Sequence, residues 1–251
     1  MTRNVAVVTG AGSGIGRVVA RALLDAEWSV ALAGRRAEAL EETADGTDAA
    51  LVVPTDVADP ASVTDLFAAA RGEWGRVDLL INNAGTFGPV GGVDEIPIEG
   101  WLSTVAVNLT GAFLTLRTGL RLMRDGGAIV LVASSMALKP SPGAAGYGAS
   151  KAALLQLTRI AALEAAPRGI RVNAISPGGV ETPLFRGQDF FEGLIAQTGS
   201  ERSAYDALAA RTPLGRYASA EETAGLIAFL MSAEAAQITG ANLVADAGMT
   251  L

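Results

Sequence analysis

The segment "GYGASKAALL", Gly146–Leu155, sets a phenol at Tyr147 four residues ahead of an ammonium at Lys151. On a helix, positions four apart share a face. A phenol with a pKa near ~10 is a poor base at neutral pH. One positive charge at ~4 Å, in an effective dielectric of ~20, favours phenolate by about 4 kcal/mol before desolvation is counted. That is a shift of roughly three units, enough to make Tyr147 a general acid or base near working pH. Taken alone, the pair is better read as the first turn of an ordinary surface helix.

The chain leaves few other ways to move a proton. Its 251 residues contain no histidine and no cysteine. A Ser-His-Asp triad, a histidine-ligated zinc, a histidine base, thiolate metal sites and disulfides are all excluded. Proton chemistry must run through Tyr, Lys or carboxylates, and no metal is expected. The net charge of −7 argues against nucleic acid and anionic membrane surfaces, both of which select basic faces. The N-terminal "MTRNVAVVTGAG" carries no signal-peptide pattern, and no apolar run approaches the ~20 residues of a membrane span. A soluble cytoplasmic protein is the expectation.

The elements that must position Tyr147 and Lys151 alternate along the chain. Strands are predicted at Val5–Val8, Val30–Ala33, Ala50–Val53, Leu79–Ile81, Ala128–Ala133, Arg171–Ile175 and Asn242–Ala245. Most are apolar throughout, the mark of strands covered on both faces. Helices are predicted at Ile15–Glu27, Ala37–Ala44, Pro60–Trp74, Pro97–Met123, Ala145–Ala165 and Ala220–Met231. Such alternation predicts an α/β chain: one doubly wound (Rossmann-type) domain over 1–251, with a mostly parallel seven-stranded sheet and helices on both faces. Half the residues are hydrophobic, ample for that core. The segment Pro183–Leu214, with no strand or long helix expected, reads as a substrate flap.

"VVTGAGSGIG" follows the first strand and opens the first helix. Gly10, Gly12, Gly14 and Gly16 allow positive φ and close approach of a phosphate, and free N–H groups at the helix start favour an anion. The spacing is T-G-x-x-x-G-x-G rather than G-x-G-x-x-G, and on its own it is also compatible with a plain tight turn. After the second strand, Gly34 stands where dinucleotide folds usually place a carboxylate for the ribose hydroxyls, and Arg35 and Arg36 follow. A guanidinium grips a 2′-phosphate that a carboxylate would repel, so NADP(H) is favoured, with NAD(H) possible. The arginines would otherwise simply begin a solvated helix.

Three more motifs fall in order: "NNAG" at Asn82–Gly85, the "ASS" of Ala133–Ser135 at a strand end, and "YGASK" at Tyr147–Lys151. Together with the glycine turn they make the chain resemble the short-chain dehydrogenase/reductase family, in its compact branch, over nearly its whole length. The resemblance implies hydride transfer between a nicotinamide cofactor and a carbonyl or secondary alcohol. It assigns catalysis to Ser134, Tyr147 and Lys151, preferring Ser134 to Ser135 by its spacing from the tyrosine. It implies that Asn108 shapes a proton-relay water. Cofactor contacts fall on the glycine turn with Ser13 and Ile15, on Asp56 and Val57, on Asn83, Ala84 and Gly85, on Tyr147 and Lys151, and on Pro177, Gly178, Val180 and Thr182. It also implies a homo-oligomer, a homotetramer or homodimer, with Pro97–Met123 and Ala145–Ala165 at an interface. Two departures stand out: "ADAG" at Ala245–Gly248 replaces the family's usual "VDGG", and the glycine turn lacks the basic residue of some NADP-preferring members.

Several of these residues have plainer readings. Ser134 could bond local backbone, Asn108 could satisfy a neighbouring carbonyl, and Asp56 could be a helix cap. Asn82 and Asn83 also read as structural, bridging strands beside the cofactor. Phe185, Phe190, Phe191, Leu194, Ile195 and Tyr205 suggest an apolar substrate wall or simply pack the flap. Arg186 and Arg202 could meet an anionic group, and Lys139 could line the pocket. A non-catalytic redox sensor on the same fold is the alternative; it has no use for an intact acid/base set. A lyase or epimerase usually carries a larger substrate domain.

Overall fold

The computed structural model describes residues 3–251 and places all seven strands in one sheet, parallel at every pairing. They are β1 (Val5–Thr9), β2 (Ser29–Gly34), β3 (Ala50–Pro54), β4 (Leu79–Asn82), β5 (Ala128–Val132), β6 (Arg171–Pro177) and β7 (Asn242–Ala245), in the order β3-β2-β1-β4-β5-β6-β7. The helices are α1 (Gly14–Asp25), α2 (Ala37–Ala44), α3 (Pro60–Trp74), α4 (Ile98–Val105), α5 (Ala112–Leu122), α6 (Ala145–Ala165), α7 (Asp189–Thr198), α8 (Glu201–Ala209) and α9 (Ala220–Met231).

Alternation along each strand feeds two cores. In β1, Val5 and Val7 join Leu66 and Phe67 of α3, Leu116 of α5 and Leu154 of α6. Ala6 and Val8 join Val19 and Leu23 of α1, Leu40 of α2 and Ile227 of α9. This two-sided burial is why the strands read as continuous apolar runs. The chain winds outward through β2 and β3, then returns so that β4 pairs with the other side of β1. The reversal opens a crevice beyond the carboxyl ends of β1 and β4, the place where doubly wound sheets bind ligands.

Two expectations need correction. The helix expected over Pro97–Met123 is interrupted: a π-helical turn, Ala106–Gly111, separates α4 from α5 and carries Asn108. The segment Pro183–Leu214 is also not irregular, because it contains α7 and α8. Ser200 caps the second of these by accepting the N–H of Ser203 at 3.0 Å, while Gly193 inside α7 disguises that helix in the sequence. The fifth strand stops at Val132, which leaves Ser134 on the turn beyond it. No helix among the described residues is long and apolar enough to cross a membrane.

Candidate active site

The glycine turn is built for close approach. Gly10 and Gly14 have φ of +67° and +53°, where a side chain would be strained. A Cβ on Gly10 would lie 2.7 Å from Asn83 Nδ2, and one on Gly16 would fall against the Gly10 carbonyl. Ser13 precedes α1 with extended backbone and no side-chain cap, so the N–H groups of the first turn stay available to an anion. Gly10, Gly12, Ser13, Gly14 and Ile15 face a cleft of about 860 Å³, whereas Gly16 packs behind the turn. Thr9, which sequence reasoning passed over, holds this arrangement: its hydroxyl accepts the N–H groups of Asn83 and Ala84, both at 3.0 Å. Asn83 Nδ2 donates to Thr9 O at 3.0 Å, tying the ends of β1 and β4 together. Asn82 is structural as expected, donating to Ala112 O and Thr115 Oγ1.

At one end the cleft adjoins a second hollow of about 370 Å³, walled by Gly34, Arg35, Arg36, Asp56 and Val57. Arg35 and Arg36 are exposed, and among the described residues neither guanidinium enters an ion pair. Arg17 lines the larger cleft and is engaged, donating to Gly12 O at 2.6 Å and to Glu42 Oε2 at 2.8 Å. Asp56 Oδ1 accepts the N–H of Ala58 at 2.9 Å in a local turn, while the helix cap of α3 is Asp59.

The other end holds Ser134, Tyr147 and Lys151 on one wall, all three buried. Ser134 Oγ accepts the N–H of Met136 at 3.2 Å, which leaves its own proton free to donate. Lys151 Nζ lies 5.7 Å from the centre of the Tyr147 ring and donates to Val132 O at 2.7 Å. Burial pushes the Tyr147 phenol up, and a hydrogen bond with Ser134 draws it part of the way back. Burial lowers the Lys151 ammonium to about 8. The expected lowering of the phenol by the lysine is therefore overturned for the protein by itself. The ammonium is committed to a carbonyl, and desolvation of the phenolate outweighs it.

Asn108 sits behind this wall, fully buried in the π-helical turn. Its Oδ1 accepts the N–H of Thr86 at 2.8 Å, and its Nδ2 donates to Thr86 O at 2.8 Å and to Ser150 Oγ at 3.1 Å. The side chain thus pins the loop after β4 to α6. Gly85 makes room, since a Cβ there would stand 3.4 Å from both Asn108 Oδ1 and Lys151 Nζ. Pro177, Gly178, Val180 and Thr182 line the cleft opposite, joined by Gly179, whose missing Cβ makes space for the Tyr217 ring.

Further wall residues went unseen in the sequence: Phe87, Met136, Tyr217 and Met249. Their types carry no motif, and only the fold brings them together. Lys139 is not on the wall; its ammonium donates to Met249 O at 2.8 Å. Of the flap aromatics, Phe185 lines the cleft and backs onto a packed cluster of Phe191 and Tyr205, with Leu194 and Ile195 beside it. Tyr205 donates to Thr182 O at 2.6 Å.

A nicotinamide dinucleotide fits these residues. The donors of the α1 start and the bare glycine backbone suit a pyrophosphate, the Asp56–Val57 hollow suits an adenosine, and the Ser134–Tyr147 wall lies at the far end. Comparisons agree over the full chain. A family profile described as "Enoyl-(Acyl carrier protein) reductase" matches residues 10–250. A cis-4-hydroxycyclohexanecarboxylate dehydrogenase of Sinomonas cyclohexanicum is 40% identical, across 98% of this chain and 96% of its own. The 3-ketoacyl-(acyl-carrier-protein) reductase of Brucella melitensis, solved with NADH, superposes with a TM-score of 0.88 at 31% identity, covering 99% of this chain and 98% of that one. Actinorhodin polyketide ketoreductase, solved in a substituted form with NADPH, gives 0.87 at 34% identity over 99% and 97%. The chain belongs to the short-chain dehydrogenase/reductase family, and is an oxidoreductase that moves hydride between a nicotinamide cofactor and an alcohol or carbonyl carbon.

Proposed function

We propose that Tyr147 is the general acid/base of this hydride transfer, Ser134 the donor to the substrate oxygen and Lys151 the group that stabilises the phenolate. The bound nicotinamide supplies or accepts the hydride. In the reducing direction the Tyr147 hydroxyl gives its proton to the carbonyl oxygen as that oxygen gains charge. In the oxidising direction its phenolate takes the proton back. Ser134, with its oxygen already accepting from Met136, turns its hydrogen toward the same substrate oxygen. Lys151 keeps positive charge beside the phenol and is placed to hold ribose hydroxyls. Asn108 positions the loop that carries Gly85, and its backbone in the π-helical turn is the place for a relay water.

The observation that carries this reading is that the three side chains share one buried wall at the end of the cleft remote from Arg35 and Arg36. A panel of ketones and alcohols with each cofactor, followed at the reduced-nicotinamide band, tests it. Tyr147→Phe abolishes turnover while cofactor still binds; turnover that survives the substitution rejects the role.

Residues 1–251 act as one dinucleotide-binding and catalytic unit, with 183–214 as its substrate flap. The unpaired guanidinium groups of Arg35 and Arg36 support a preference for NADP(H). Exposed apolar side chains on α4, α5 and α6, including Leu102, Phe113, Ile160 and Leu163, support a homotetramer or homodimer built through these helices, and a cytoplasmic location completes the proposal. Sedimentation at the monomer mass of 25.5 kDa contradicts the assembly.

A further inference from the structure

Resting on that hydride-transfer reading, the geometry points to an uncharged, ring-bearing ketone or secondary alcohol as the substrate, taken free and not tethered to an acidic carrier or a nucleotide thioester.

The first support is the surface beside the acid/base. The Phe87 ring lies 4.8 Å from the Tyr147 ring, centre to centre, tilted by 36°. Phe185 meets Phe87 edge-on, at 5.2 Å and 87°. Phe190 closes the group from the flap, 5.5 Å from Phe185 and 6.0 Å from Phe87. Met136 packs on the same cluster, and Met249 adds a second thioether to the wall. Aromatic faces and polarizable sulfur gain most from a flat or alicyclic ring laid against them. A linear acyl chain fills such a surface poorly.

The second support is the state of the cations. Among the described residues, Arg186 is the one arginine on this end of the wall, and it is held by Glu201 through Nε at 3.1 Å and Nη2 at 3.2 Å. Arg202 is shared by Glu181 and Asp206, at 3.2 Å each. Arg216 grips Glu222 at 2.7 and 2.8 Å, and Lys139 is tied to Met249 O. A carboxylate, a thioester nucleotide or an acidic protein drawn to Arg186, Arg202 or Arg216 would have to displace an existing acidic partner, against a net charge of −7. A neutral ring meets no such competition.

Steady-state reduction tests the inference with cyclohexanone and acetophenone set against 4-oxocyclohexanecarboxylate and acetoacetyl-CoA. We expect kcat/KM for the neutral rings to exceed both charged probes by about tenfold or more. A smaller margin, or its reversal, overturns the inference and leaves the enzyme reading intact. Turnover of no ketone with either cofactor removes the hydride-transfer reading itself, and this inference with it. Phe185→Ala should raise KM for cyclohexanone by about tenfold and KM for acetone by less than about twofold. A flap that was merely loosened would raise both alike, and that result counts against ring binding at Phe185.

Discussion

Lys151 Nζ stands 5.7 Å from the centre of the Tyr147 ring, yet its hydrogen bond goes to Val132 O and not to the phenol. In the proposed role the lysine can act on the tyrosine only through its field, and only while it is charged. Burial places its own titration at about 8, inside the range where enzymes are assayed.

This placement predicts the pH dependence of ketone reduction. Tyr147 is raised and stays protonated through neutral pH, so the proton to be donated is in place. Donation leaves a phenolate that needs the ammonium. Reduction should hold level below the Lys151 titration and decline above about 8. A profile of kcat/KM that stays level to about pH 10 contradicts the field argument.

The same shift makes a stability prediction. Between about 8 and the ordinary 10.5, the unfolded chain holds a lysine proton that the folded chain has lost. Stability from this group therefore rises with pH across that window, and the burial penalty, on the order of 3 kcal/mol, is fully present below it. Lys151→Met carries no such titration. Its stability relative to the unsubstituted protein should be greatest near neutral pH and should shrink as pH climbs through the window. The loss of a donor to Val132 O adds a cost that is the same at every pH. Denaturant melts at neutral and alkaline pH read the difference, and a gap independent of pH speaks against the buried ammonium.

What the sequence made legible was local. Positive φ at Gly10 and Gly14 demands glycine wherever the turn occurs, and a four-residue spacing puts Tyr147 and Lys151 on one face of any helix. The strands were readable because burial on both faces leaves no polar alternation to confuse. The π-helical turn at Ala106–Gly111 is different: its residues are compatible with an ordinary helix, and the extra residue is accommodated only where Asn108 must reach Thr86 and Ser150. Met249 meets Ser135 across 114 positions of sequence, a distance over which no motif operates. The electrostatic sign at Tyr147 was also hidden, because the cost of burying a phenol depends on its neighbours in space.

The proposed preference for NADP(H) rests on the open end of the cleft. Among the described residues Arg35 and Arg36 enter no ion pair, while Arg17 beside them is spent on Gly12 O and Glu42. A 2′-phosphate would thus find the first two guanidinium groups and not the third. Arg35→Ala should weaken NADPH binding by about tenfold or more and NADH binding by less than about twofold, since an exposed arginine gains little from neutral hydroxyls. Fluorescence titration with both cofactors separates the cases, and equal losses reject the preference.

The end of α1 offers a change remote from chemistry. Trp28 N donates to Leu23 O and Glu27 N to Leu24 O, both at 3.0 Å, the paired closure that ends a helix through a left-handed residue. That residue is Glu27, exposed and at φ 61°, where glycine is the usual occupant. Trp28 packs against the core that holds Leu23, so the turn is fixed and the strain is retained. The left-handed conformation costs a residue with a Cβ about 1–2 kcal/mol, and a carboxylate at a helix C-terminus opposes the macrodipole. Glycine restores freedom to the unfolded chain, offsetting about 0.4–1 kcal/mol. Glu27→Gly should therefore stabilise the protein by up to about 1 kcal/mol and raise Tm by roughly 2–4 °C, with activity unchanged. A Tm that falls would mean that the cost of chain entropy exceeds the relief of the turn.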